Sequence, residues 1–144
     1  MNPNDIIYYI MQRRLYLYEI KKPVSSVPEY ETIWFCDTLG LSSGRDLDAL
    51  ATQIITTLLQ QYQNGEGLST EQLAQLLNVA PARVNHHVRN LARTGIVYRE
   101  KKLVHMRGLS LKESVRELRK DANRIFDELE EIAESIDEYV QSGK

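Results

Sequence analysis

Cysteine is nearly absent: among 144 residues there is only Cys36. One thiol closes no internal disulfide and builds no zinc knuckle, which removes the disulfide-stapled and zinc-finger classes and suits a reducing compartment. Beside Trp34 and Phe35, Cys36 reads as a small buried hydrophobe. Long apolar runs are missing as well, since no stretch approaches the roughly 20 residues that span a bilayer. The opening MNPNDIIYYIMQRR carries Asp5 and no early cation, unlike a secretory signal. These absences predict a cytoplasmic protein with no membrane partner. Catalytic signatures are also lacking: there is no glycine-rich phosphate loop, nucleophile elbow or paired-carboxylate motif. His86, His87 and His105 form no i, i+4 ligand pair, and adjacent helical residues diverge by about 100°, so no metal site is expected. The expectation is a protein that is not an enzyme and takes no cofactor.

What is present is a charge pattern that the net value of −2 conceals. Residues 69–108 hold seven Lys/Arg (Arg83, Arg89, Arg93, Arg99, Lys101, Lys102, Arg107) against Glu71 and Glu100, a balance of +5. The segments before and after are acidic, at −3 and −4, and all three histidines fall in the middle block. A basic centre between acidic flanks fits a polyanion if its cations share one face. With 42% hydrophobic and 26% charged residues, the chain has the composition of a folded domain rather than a disordered one.

The amino-terminal region is apolar and tyrosine-rich without a clean period. It reads as a short helix to about Arg14 and a strand over Leu15–Lys21, broken by Pro23, Ser25, Ser26 and Pro28. Residues 29–41 suit a short helix ending at Gly40. Ser43 is placed to cap a helix whose apolar positions are Leu47, Leu50, Ala51, Ile54, Ile55, Leu58, Leu59 and Tyr62, with Asn64-Gly65-Glu66-Gly67 as its stop. Ser69 and Gln72 match a capping box and open a helix expected to bury Leu73, Leu76 and Leu77. Asn78 suits a left-handed helix end, Val79 the apolar residue of a tight turn, and Pro81 the first turn of the next helix. That helix carries Val84, Val88 and Leu91 on one stripe and stops at Thr94-Gly95. Two short helices joined by about four residues form the helix-turn-helix signature. Ile96–Arg99 and Leu103–Arg107 follow as a small hairpin around Glu100-Lys101-Lys102.

From Ser110 to about Gln141 there is neither proline nor glycine. Leu111, Val115, Leu118, Ala122, Ile125, Leu129, Ile132, Ile136 and Tyr139 recur at alternating spacings of 4 and 3, an unbroken heptad seam. The helix would be roughly 48 Å long at about 1.5 Å per residue, too long for so small a domain to cover. It is expected to pair with a second copy through these nine positions.

On a wheel with Val84, Val88 and Leu91 turned inward, Ala82, His86, Arg89 and Arg93 point away, flanked by Arg83, Asn85 and Asn90, while His87 lies near the buried edge. Small residues, amides, imidazole and guanidinium are the groups that read base edges and grip phosphates in a major groove. A solvated face would be richer in Glu and Lys, and this helix has neither. With the hairpin cations Arg99, Lys101 and Lys102, these residues form the expected DNA-binding set.

Residues 67–108 resemble the winged-helix domains of the ArsR and MarR regulator families. The stretch PARVNHHVRNLARTGIVYRE is similar to the ArsR-type recognition helix and its exit into the wing, with Val84, His87, Val88, Arg89, Leu91, Gly95, Ile96 and Val97 on that family's pattern. The preceding helix and the long C-terminal helix extend the likeness to about two-thirds of the chain. The first 40 residues carry only a general likeness to archaeal regulators of this type. Two features depart from the pattern: the helix TEQLAQLLN lacks the cysteines of metal-sensing ArsR proteins, and the wing is short.

The expected architecture is therefore mainly α, an α+β winged helix in three parts. Residues 1–42 form an N-terminal extension available for dimer or ligand contact, 43–109 the winged-helix DNA-binding domain, and 110–144 a coiled-coil-like dimerisation helix. The expected function is sequence-specific binding of double-stranded DNA by a homodimeric transcriptional regulator. The competing reading is a winged helix used for protein contact within a transcription or assembly complex, without base-specific readout. Tyr8, Tyr9, Tyr16, Tyr18, Tyr30, Trp34 and Phe35 are enough aromatics to line an effector pocket, although aromatic core or dimer packing accounts for them more simply.

Overall fold

The computed structural model describes residues 15–41, 49–61 and 66–143. The helix expected up to Arg14, the Ser43 cap, Leu47, Tyr62, Asn64-Gly65, Tyr8 and Tyr9 lie outside these described residues. Among the described residues five helices and a hairpin follow in chain order: α1 (Pro28–Thr38), α2 (Leu50–Gln61), α3 (Thr70–Leu77), α4 (Pro81–Thr94), β1 (Val97–Glu100), β2 (Leu103–Met106) and α5 (Leu111–Gln141).

α2 runs through the middle of the core. Its Leu50, Ala51, Ile54, Ile55 and Leu58 are all buried, the width of apolar stripe that lets one helix serve several neighbours. Ala49, immediately before it, sits at φ +52°, and the right-handed helix opens at Leu50. α1 leans on α2 through Cys36, fully buried as its apolar neighbours imply, whose Sγ accepts the Thr52 hydroxyl at 3.2 Å. Gly40 at φ +65° turns the chain out of α1.

The strand expected over Leu15–Lys21 does not form. The segment is irregular and hangs from α1 by two hydrogen bonds, Tyr18 N–H to the Thr38 carbonyl at 2.8 Å and Trp34 Nε1–H to the Ile20 carbonyl at 2.9 Å. A strand needs a neighbouring edge, and none of the described strands lies beside it.

Ser69 and Gln72 close the capping box in both directions: Gln72 N–H donates to Ser69 Oγ at 3.0 Å, and Ser69 N–H to Gln72 Oε1 at 2.8 Å. Asn78 ends α3 at φ +54°, and Val79 N–H returns to the Ala74 carbonyl at 3.1 Å. Leu73 and Ala74 are buried and Leu77 is half-buried, but Leu76 is 55% exposed rather than buried. At about 100° per residue, Leu73, Ala74 and Leu77 share an arc that leaves Leu76 to one side. α4 opens at Pro81, buries Val84, His87, Val88, Leu91 and Thr94, and stops at Gly95 with φ +86°.

β1 and β2 pair antiparallel, with Val97 opposite Met106 and Glu100 opposite Leu103. Leu68 adds a short third edge, exchanging both backbone hydrogen bonds with Val104. Gly67 is required there: a Cβ would stand 2.4 Å from the Val104 carbonyl and 2.8 Å from the His105 ring. The two residues of the hairpin turn are Lys101 and Lys102, both with positive φ (+52° and +66°). This is the type I′ geometry that follows strand twist.

The entry into α5 is tightly built. Ser110 caps it by accepting from Glu113 N–H at 3.1 Å, Glu113 Oε2 accepts from Leu109 N–H at 3.0 Å, and buried Ser114 accepts from Gly108 N–H at 2.9 Å. One core draws on Cys36, Leu39 and Leu41, on α2 to β2, and on Leu118 of α5. The long helix thus divides in two. Leu118 is only 4% exposed within its own domain, Leu111 packs against that core, and Val115 and Ala122 are half-buried. These four positions of the seam face the domain, so the part open to a second copy begins at Ile125. From Asn123 to Gly143 every residue is exposed.

Candidate nucleic-acid interface

Two elements build the surface, and each is positioned by the core beneath it. Val84, Val88 and Leu91 are fully buried and fix the rotation of α4. Ala82, Arg83, His86, Arg89 and Arg93 are consequently exposed, while Asn85 and Asn90 are half-buried at the edges of that face. His87 lies on the inner side at 8% exposure, with His86 edge-on against it at 5.4 Å. His105 is elsewhere, stacked on Tyr98 at 5.1 Å on the hairpin. The three histidines are therefore not brought together, and among the described residues no group of three or more His, Cys, Asp or Glu could hold a metal ion.

The hairpin stands beside α4 and presents Arg99, Lys101 and Lys102 to solvent. It is joined to the helix by a contact the sequence does not announce: Arg99 Nη2 donates to Asn85 Oδ1. Between the start of α3, the start of α4 and the hairpin lies an open cleft of about 420 Å³, lined by Thr70, Glu71, Pro81, Ala82, Asn85, Arg99 and Lys102. Arg99 and Lys102 outnumber Glu71 in its lining, a balance that favours an anion. Thr70 and Glu71 join this surface although their sequence positions suggest only a helix start. Finding them requires knowing where the hairpin folds back, about 30 residues downstream.

A third contact sits behind the interface. Arg107, just past β2, donates both guanidinium nitrogens to Asp121 of α5, with Nη2 to Oδ1 at 3.0 Å, and Nη1 also reaches the Gly95 carbonyl at 3.4 Å. Arg124 donates to the same carboxylate at 3.0 Å. The Asp121 hydrogen bond holds the Arg107 guanidinium above its already high ordinary pKa. The end of α4, the root of the hairpin and the long helix are thereby tied at one point.

Of the aromatics that suggest an effector pocket, Trp34 and Phe35 line a cleft of about 440 Å³ with Lys22, Glu31 and Leu111. Tyr16, Tyr18 and Tyr30 are about half exposed.

Residues 51–98 match the model of the winged helix-turn-helix DNA-binding family, a span that covers α2, α3, α4 and the first residues of β1. Over that third of the chain the sequence is similar to this family, and the fold around it is a winged helix-turn-helix. No curated protein and no solved structure matches the chain. Among the described residues no helix is long and apolar enough to cross a membrane.

Proposed function

We propose that the chain is a homodimeric, sequence-specific transcriptional regulator of the cytoplasm, similar in its reading head to ArsR- and MarR-type proteins. In this reading α4 enters a major groove of double-stranded DNA and the hairpin rests on the flanking backbone. One observation carries it: the exposed face of α4 offers Ala82, Arg83, His86, Arg89 and Arg93 with no carboxylate on the helix, beside the cationic hairpin. A solvated or protein-docking face has no reason to exclude acid while the rest of the chain is acidic.

The roles follow from position. Arg83 and His86 lie in the first half of α4, which reaches base edges in helix-turn-helix docking. Arg89 and Arg93 lie later and grip phosphate, with Asn90 at their edge. Asn85 lies in the first half too: its Oδ1 accepts from Arg99, and the second lone pair of that oxygen with the amide N–H leaves the two-bond pairing with adenine open. Asn85 and Arg99 also act as a pair that sets the hairpin against the helix.

Selection of bound sequences from a random DNA pool tests the reading. The parent should enrich a motif. Arg83→Ala should lose discrimination at particular positions of that motif by about 1–3 kcal/mol, with non-specific affinity nearly intact. Arg89→Ala should weaken binding to every sequence and lower the salt slope by about one. No enriched motif, or a motif indifferent to Arg83→Ala, would favour the protein-docking winged helix instead.

The dimer half of the proposal rests on the bare seam of α5, where Ile125, Leu129, Ile132, Ile136 and Tyr139 are 47–63% exposed. A chain ended after Arg124 keeps Leu118 and the Asp121 contacts, and it should sediment as a folded monomer while the full chain sediments as a dimer. A cut after Leu109 would instead strip Leu118 from the core and is not a clean test. A folded dimer from the chain ended at Arg124 would move the interface elsewhere, to the exposed N-terminal segment first.

A further inference from the structure

We propose that two copies pair with their α5 helices antiparallel, through Ile125–Val140 alone. The inference rests on the homodimer reading and adds the direction and extent of pairing.

The argument begins with which face of α5 is already taken. At about 100° per residue, Leu118, Ile125, Leu129, Ile132 and Ile136 all fall within roughly 40° of one line along the helix, and Tyr139 within about 60°. The seam is thus one straight stripe, but its two halves meet different things. Around Leu118 it is filled by the chain's own domain: Ser114, Leu118 and Asp121 are buried. From Ile125 it is bare.

A parallel partner helix would occupy the same stripe along its whole length. Packed helices lie about 8–10 Å apart. A domain of this size is roughly 25 Å or more across. Two such domains, one on the inner face of each helix, would both have to fit between the axes. Over the about 21 Å of helix from Ile125 back to Leu111, the axes would need to reach a separation of roughly 50 Å or more. Helices splayed that steeply lose contact within about a turn, and most of the seam would stay bare. An antiparallel partner meets no such obstacle. Its domain lies past the far end of the Ile125–Val140 stripe, so the two domains do not meet between the axes.

A second copy is the occupant that the surface suits. Phe126, Ala133 and Val140 border the stripe on one side and widen it. Ile125, Phe126, Leu129, Ile132, Ile136, Tyr139 and Val140 are 47–67% exposed. Together they expose roughly 800 Å² per copy, of which a facing helix buries the part turned toward it, an area at the smaller end of specific interfaces. The seven carboxylates between Asp127 and Glu138, unaccompanied by any Lys or Arg from Ile125 to Gln141, lie mostly on the opposite side of the helix and remain in water.

Spin labels read the direction. In the full chain with Cys36→Ala, labels are introduced singly by Asn123→Cys, Ser135→Cys and Ser142→Cys, all exposed positions. Inter-copy distances are then measured by pulsed electron resonance. Antiparallel pairing centred near Ala133 places the two Ser135 labels close together. It places the two Asn123 labels and the two Ser142 labels about 27–30 Å apart along the axis, from twice the helix rise to the crossing point. Three similar short distances would mean parallel helices and overturn the inference while leaving the dimer intact. Monomeric protein with no inter-copy distance at any site would overturn the homodimer reading itself.

Discussion

Asp121→Ala is expected to destabilise the fold by about 3 kcal/mol. The Asp121 side chain is 7% exposed and accepts from Arg107 and Arg124, and Arg107 is itself only 20% exposed. Removing one partner of a buried pair costs about 3–5 kcal/mol, because the other charge is left desolvated. Arg107 keeps some water and a long bond to Gly95, which places the effect at the lower end. Thermal denaturation should show a fall of about 10 °C, given roughly 2–4 °C per kcal/mol at somewhat larger sizes and more at smaller ones. The exposed Lys120–Glu117 pair, 2.8 Å long on the same helix, provides the contrast, since Glu117→Gln should barely move the transition. Replacing Arg107 and Asp121 together with Met and Leu should recover most of the loss, because no buried charge is then stranded. A loss under about 1 kcal/mol for Asp121→Ala would mean that the pair is solvated in solution.

The second large effect has opposite signs in two measurements. Lys101 and Lys102 hold φ +52° and +66°, where a side chain costs roughly 1–2 kcal/mol per residue and Asn-Gly is the favoured pair. The double substitution Lys101→Asn, Lys102→Gly should therefore stabilise the domain by about 1–2 kcal/mol in urea titration. The same change removes two cations from the tip of the hairpin. DNA affinity should fall for every sequence, and the slope of log K against log salt should flatten by about two. Strain kept at a turn that easier residues would relieve points to a use for what is kept there, and here that is charge. Stabilisation with an unchanged slope would take the hairpin off the DNA.

How much of this was legible depends on the range of the signal. The α3–α4 pair was readable because its determinants are local: Ser69 and Gln72 three apart, Asn78 at the turn, Pro81 at a helix start and Gly95 past its end. The burial of Val84, Val88 and Leu91 followed from period alone, and with it the outward set from Ala82 to Arg93. Leu76 went the other way because three apolar neighbours already filled the inner arc. Longer-range features were not readable. Asp121 looks like one more charge on a solvated helix until Arg107, 14 residues earlier, is placed against it. The Arg99–Asn85 bond likewise needs the hairpin's register on α4. With no glycine at the turn, nothing local signalled that both lysines would take left-handed geometry. The period of the C-terminal seam was plain, but period does not say what covers each half. Leu15–Lys21 had strand composition and no edge to pair with.

The knot at Arg107 makes a mechanical object of the long helix. Because the guanidinium binds α5 through Asp121 and reaches Gly95 at the end of α4, no loose hinge separates the arm from α4. The arm beyond Asp121 runs for 20 residues, about 30 Å. On a lever of that length a shift of about 5 Å at the tip corresponds to roughly 10° of rotation at the fulcrum. In the proposed homodimer, moving the far ends of the two arms relative to each other would turn the two α4 helices, and a modest displacement there would be enough to bring them into or out of phase with DNA.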